Sequence, residues 1–155
     1  MSSAFLRLNL MFAYEGEAVV SASCASGPFQ GHAGAGADVS RIERFVEQLR
    51  RFPIPHQNPA ILQAGDFKSG ELARTGEFLE IIVGPRGSLG DLLVEASIGG
   101  SVLGRPEQQI SQSVTVRFLT DYASAAEFAA VLDAFAKTDF ARWEGNSFKA
   151  TLKAK

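Results

Sequence analysis

Histidine, cysteine and paired carboxylates are the groups through which a small domain does acid–base, nucleophilic or metal chemistry, and this chain is sparing with the first two: His32, His56 and Cys24. Neither histidine has another His or Cys at ligand spacing, so no metal site is expected. Cys24 and His32 could form a nucleophile–base pair if their strands are neighbours. No helix N-terminus follows Cys24 to lower its pKa, however, and a small thiol in a small-residue strand is expected to be an inert, half-buried one. Gly84-x-x-Gly87-x-x-Gly90 has glycine spacing akin to a phosphate loop. It lacks the Gly-Lys-Ser/Thr ending and runs into a β-rich segment, which predicts a hairpin loop with Arg86 exposed near its tip.

The carboxylates are dispersed. Glu15 and Glu17 flank a turn, Glu77 and Glu80 fall on opposite faces of one strand, and Asp38 and Asp121 stand where helices begin. No pair has the spacing to divide acid and base roles. The expectation is therefore no catalytic, cofactor-binding or metal-ligating residue. Arg86, Arg142 and Trp143 are the candidates for touching a partner, Trp143 because a tryptophan in a polar tail can anchor an interface; folding back onto its own domain is the commoner fate of such a residue. The alternative is a site assembled only in three dimensions around His32 and Arg86, whose mark would be a deep polar pocket containing His32.

The elements that would position these residues are legible from periodicity. Phe128, Val131, Leu132 and Phe135 recur at i, i+3, i+4 and i+7, which predicts an amphipathic helix within Asp121 to Thr138. Ile42, Phe45, Val46 and Leu49 repeat the pattern in Asp38 to Arg51, and Ser40/Glu43 and Ser124/Glu127 read as capping boxes. Aligning Asp38 with Asp121 places Phe45 on Phe128 and Leu49 on Leu132. Alternation of apolar and polar residues predicts strands at Leu6 to Tyr14, Ala18 to Cys24, Glu77 to Val83, Asp91 to Ile98, Ser111 to Thr120 and Phe148 to Lys153, with shorter ones at Ala60 to Ala64 and Glu71 to Arg74. Phe29 to Ala37 alternates too, but its glycines make sense in a strand only where another element packs closely. The prolines at 53, 55 and 59 exclude helix or central strand and make a connection. Gly99 to Gln109 reads as loop. A single α+β domain over residues 1–155 follows, mostly antiparallel sheet with two amphipathic helices, and a β-β-β-α duplication with pseudo-repeats at 1–52 and 60–138 and a terminal strand at 147–153 fits the order.

Composition narrows the function classes. The chain is 46% hydrophobic and 21% charged with a net charge of −2, an ordinary globular profile that offers phosphate backbones and anionic membranes no attraction. One cysteine excludes an internal disulfide and suits a reducing, cytoplasmic setting. The apolar run near residue 4 is broken by Asn9 and followed by Glu15 and Glu17, so a cleaved leader is not expected despite Ser21-Ala22-Ser23-Cys24.

The passage Phe29-Gln30-Gly31 into Asp38-Val39-Ser40-Arg41-Ile42-Glu43-Arg44-Phe45-Val46-Glu47-Gln48-Leu49, with the strand-to-helix passage Val114 to Leu132, resembles small bacterial immunity proteins of the WapI-like type and related uncharacterised families. The resemblance is one of pattern across much of the chain. It implies a cytoplasmic, non-enzymatic bacterial protein that binds and neutralises a cognate toxin, and it carries over no contact residue. Two other readings stay open beside it: a small enzyme or ligand-binding domain around His32 and Arg86, and a homo-oligomeric structural module whose partner is a second copy.

Overall fold

A computed structural model describes residues 3–101 and 111–155. The fold is α+β, with ten strands and two α-helices among the described residues. Strands β1 (Phe5–Tyr14), β2 (Glu17–Ser26) and β3 (Phe29–Asp38) lead into α1 (Val39–Leu49). After the proline connection come β4 (Ala60–Gly65), the two-residue strands β5 (Phe67–Lys68) and β6 (Glu71–Leu72), then β7 (Phe78–Arg86), β8 (Asp91–Ser101), β9 (Ser111–Asp121) and α2 (Tyr122–Ala136). A 3-10 turn at Phe140–Arg142 and β10 (Phe148–Lys153) complete the chain.

The strands form two antiparallel four-stranded sheets, ordered β10-β1-β2-β3 and β4-β7-β8-β9, with β5 and β6 paired apart. The strand that follows each helix crosses to the other sheet: β4, after α1, pairs with β7, and β10, after α2, pairs with β1. Each four-stranded sheet thus has the same plan, three sequential strands leading to a helix plus one strand delivered by the other half. The expected units at 1–52 and 60–138 omit that exchange, because a strand at a sheet edge shows only its own alternation in sequence, not its partner.

Strand alternation sets the layers. Leu6, Leu8, Leu10 and Phe12 on β1, Ala18, Val20, Ala22 and Cys24 on β2, and Leu92, Val94, Ala96 and Ile98 on β8 all face inward and are buried, in one cluster that spans both sheets. Helix α2 covers β10, α1 covers β4, and the helices lie against each other. Where no helix intervenes, β3 lies against all four strands of the second sheet. Packed sheets ordinarily stand about 10 Å apart. Here the inward residues of β3 are Gly31, Ala33, Ala35 and Ala37, and a Cβ added to Gly31 would overlap a Val114 methyl. The small residues exist for that close approach.

The helix starts differ from the sequence expectation. The N-caps are Asp38 and Asp121, and Ser40 and Ser124 lie inside the first turn. Asp121 Oδ1 accepts from the Ser124 N–H at 2.8 Å, because an aspartate three residues ahead outcompetes the internal serine as first acceptor. Asp38 makes no side-chain cap; its carboxyl is engaged with Glu17 across the β2–β3 pair. The Gly99 to Gln109 loop is corrected in part, since β8 continues through Gly99, Gly100 and Ser101, while residues 102–110 lie outside those described. The proline connection contributes one core residue that periodicity could not show, Ile54, buried at 1% exposure with its N–H donating to the Tyr122 hydroxyl at 3.0 Å. No helix among the described residues is long and apolar enough to cross a membrane.

Candidate functional site

The candidate site is built along β3. Gly27-Pro28 is a two-residue turn with Gly27 at φ +59, left-handed backbone that favours glycine. Ser26 and Phe29 close this hairpin. Hydrogen bonding alternates from the closing pair, so Gly31, Ala33, Ala35 and Ala37 bond back to β2, and Gln30, His32, Gly34 and Gly36 turn their N–H and C=O groups away from the sheet. Gln30, His32 and Gly36 are exposed.

The other outer strands are engaged at their edges. On β4 the Ile61 N–H donates to Gln48 Oε1 at 2.9 Å. On β9 the Arg117 carbonyl accepts from Ser26 Oγ at 3.0 Å and the Leu119 carbonyl from the Lys155 N–H at 2.9 Å. On β10 the Lys153 carbonyl accepts from Thr120 Oγ1 at 2.8 Å, and exposed Lys149 and Lys153 discourage further pairing as the sequence predicts. Among the described residues no such bond reaches the outward groups of β3.

A cleft lies at each end of this edge. The first, about 730 Å³, opens where the two sheets diverge, between Phe29, Gly31, His32 and Ala33 of β3 and Ile98, Gln112 and Val114 of β8 and β9. Its lining mixes Ile98 and Val114 with the polar Gln30, His32, Gln112 and Ser113, and Phe29 stands over it at 61% exposure. The second, about 520 Å³, lies between Ala35 and Gly36 and the chain around Asp66 and Glu77, with Glu17 completing an acidic lining. The hydrogen bond Glu17 shares with Asp38 raises its pKa above the ordinary carboxylate value, burial and the Asp38 charge adding to the rise. Two carboxyls so placed favour a shared proton or a cation between them.

The residues singled out from sequence are scattered. His32 lines the first cleft and its Nδ1 lies 2.8 Å from Ser23 Oγ on the neighbouring strand. Arg86 pairs with Asp91 at the opposite end of the β7–β8 ladder from Ile98 and Gly99, so the two members of the predicted His32/Arg86 site are not brought together. Arg86 is exposed beside the turn, as expected of a hairpin. Cys24 faces the core while His32 faces outward, since Cys24 pairs with Gly31 and not His32; burial pushes its thiol pKa up, so the nucleophile–base pair is not assembled. His56 is exposed in the proline connection. Trp143 folds back, its ring 5.3 Å from that of Phe12 and its Nε1 donating to the Asn146 carbonyl at 2.8 Å. Arg142 beside it is exposed, with Asp139 3.9 Å away. No group of three or more His, Cys, Asp or Glu side chains among the described residues could hold a metal.

Sequence reasoning missed the edge itself. The signal was present in Phe29-Gln30-Gly31-His32-Ala33-Gly34-Ala35-Gly36-Ala37, an alternating strand with neither lysine nor proline to guard it. The acidic cleft gave no signal, because Glu17, Asp66 and Glu77 come from three separate parts of the chain. No protein-family model matches the chain, and comparison with curated proteins and with solved structures gave no match.

Proposed function

We propose that this chain is a non-catalytic protein-binding module that takes an extended segment of its partner onto the free edge of β3. The observation that carries the reading is that edge: among the four outer strands of the two main sheets, β3 alone has its outward backbone groups without an intramolecular bond among the described residues, and a cleft lies at each end of it. An added strand gains main-chain hydrogen bonds, and its alternate side chains enter the flanking pockets, which supplies affinity and specificity separately. The separation of Cys24 from His32, and of His32 from Arg86, supports a binding rather than a catalytic role.

A cytoplasmic immunity protein that neutralises a bacterial toxin is the specific role that the pattern-level resemblance implies, and the product of a neighbouring toxin-like reading frame is the first partner to test. A ligand-binding reading is favoured by one observation, the presence of His32 on the 730 Å³ cleft.

The test selects displayed random decapeptides on the full chain and maps the winners by amide NMR. Shifts are expected at Gln30, His32, Gly34 and Gly36, and Gly36→Pro should abolish binding while preserving the melting temperature, because the lost N–H points away from β2. Winners that perturb Arg86 or Arg142 instead would remove the β3 reading, and turnover in a broad hydrolase or transferase screen would overturn the non-catalytic one.

A further inference from the structure

We infer that the segment held by β3 carries a lysine or arginine and an apolar side chain on one face, an even number of residues apart. This rests on the edge reading and adds the partner's chemistry to it. A strand added beside β3 would turn alternate side chains inward, opposite Gly31, Ala33, Ala35 and Ala37, toward the second sheet. At the Gly31 end those side chains meet Ile98 and Val114 in the first cleft. At the Ala35 end they reach Asp66 and Glu77 of the second cleft, while Glu17 lies on the outward face, its neighbour Ala18 being the buried one.

The first cleft has room for one large side chain against Ile98 and Val114, and the acidic one for an extended cation. The residues that line the two clefts on β3 are centred roughly four positions apart, about 13 Å at about 3.3 Å per residue. Inward side chains recur every second residue, so the two determinants sit two, four or six apart and not at odd spacing. No cation from the described residues lines the acidic cleft. A basic side chain from the partner would supply the missing counter-charge, and electrostatic complementarity of this kind chooses partners more than it adds affinity. A second copy of this chain fits the edge less well, because its own β3 segment carries no lysine or arginine between Phe29 and Asp38.

The experiment uses the displayed decapeptide library with the full chain as bait and, in a parallel selection, the Gly36→Pro variant. Enriched sequences are expected to carry Lys or Arg at an even offset from an aromatic or branched aliphatic residue. A winning peptide resynthesised with Glu in place of the basic residue should bind about tenfold more weakly at low salt. The Asp66→Asn, Glu77→Gln double variant should bind both peptides alike, since both substitutions lie at exposed positions and spare the core. Winners that need β3 but show no basic preference overturn the inference and leave the edge reading standing. Winners insensitive to Gly36→Pro overturn both. A concentration-dependent dimer in sedimentation that Gly36→Pro dissolves makes a second copy the occupant and overturns the inference as well.

Discussion

Phe45 and Phe128 hold the same position in the two helices, and their rings meet edge to face with centroids 6.5 Å apart at 87°. Both are buried, at 0% and 1% exposure. Gly31 and Val114 stand in the same relation on β3 and β9, each seven residues before the aspartate at the N-cap position of the next helix, and they too are in contact. Equivalent residues that touch each other lie where two like halves meet. The Phe45–Phe128 contact is therefore the centre of the helix layer, and Phe128→Ala should cost about 3–5 kcal/mol, most of it from the cavity left behind. Urea midpoints for Phe45→Ala, Phe128→Ala and the double variant test this, with a coupling of about 0.5–1.5 kcal/mol expected for an edge-to-face pair. Strictly additive losses would show that the rings pack independently.

The close approach at Gly31 makes a second prediction. Gly31→Val adds methyls where the Val114 side chain already sits, with the Ile98 Cδ1 3.2 Å from the first added carbon. Overpacking of this kind costs about 1–3 kcal/mol. Val114→Gly in the same chain should restore much of it, as the bulk is moved from one half to the other. Thermal melts of the three variants decide the matter; a failed rescue would mean that β3 needs glycine for its backbone and not for the space.

Acid should weaken the fold through its helix carboxylates. Bonds from Ser124 hold the Asp121 pKa below its ordinary value, and Lys137, with Arg50 at 3.3 Å, does the same for Asp133. A lowered native pKa means that the unfolded chain takes up the proton first, so this stabilisation is present above the usual 3.8 and is lost as pH falls through the lowered values. Glu17 runs the other way. Its raised pKa means that the ionised group is strained against Asp38, so Glu17→Gln should raise the melting temperature at pH 7, and the gain should vanish on titration below the ordinary 4.5. Melting curves between pH 3 and 8, about the range where carboxylates titrate, would show the two variants Asp121→Asn and Glu17→Gln diverging in sign.

What sequence could and could not show follows from the range of each signal. Strand and helix periods are local, so Leu6 to Phe12 or Phe128 to Phe135 declare their buried face without knowledge of the partner. The pairing of β4 with β7 and β10 with β1 is non-local, and nothing in Ala60 to Ala64 or Phe148 to Lys153 says which sheet receives the strand. Asp38 and Asp121 read as helix starts, while the serines beside them read as caps and were not, because a motif that fits locally still competes with its neighbours for the same N–H. The candidate site was least legible. An unguarded edge is defined by what fails to bond to it, and His32 took its place on the cleft through the register of β2 and β3 rather than through any residue near it in the chain.

Cys24 provides a probe of the core independent of any partner. It is 2% exposed, and burial raises its pKa, so little thiolate exists at neutral pH and none of it is open to solvent. The native chain should react with a disulfide reagent at pH 8 only as fast as it opens, orders of magnitude slower than the chain in denaturant. Rapid native labelling would place Cys24 at the surface and break the inward alternation assigned to β2.

Trp143 supplies the last prediction, because it separates folding from binding. The aromatic group it joins is continuous: Phe12 stacks on Phe135 at 4.5 Å and meets Phe140 at 5.5 Å, and Phe135 meets Phe148 at 5.5 Å. The indole therefore closes the end of the core where β10 returns to the first sheet, against β1 and separated from β3 by β2, since Phe12 pairs with Ala18 and Ala18 with Ala37. Trp143→Ala should destabilise by about 1–3 kcal/mol through lost burial and red-shift nothing in the remaining chain, since this is its one tryptophan. Its fluorescence in the parent protein should report unfolding but stay unchanged when a peptide occupies β3. Loss of peptide binding by Trp143→Ala at unchanged stability would return the tail, with Arg142, to the interface and move the site away from the β3 edge.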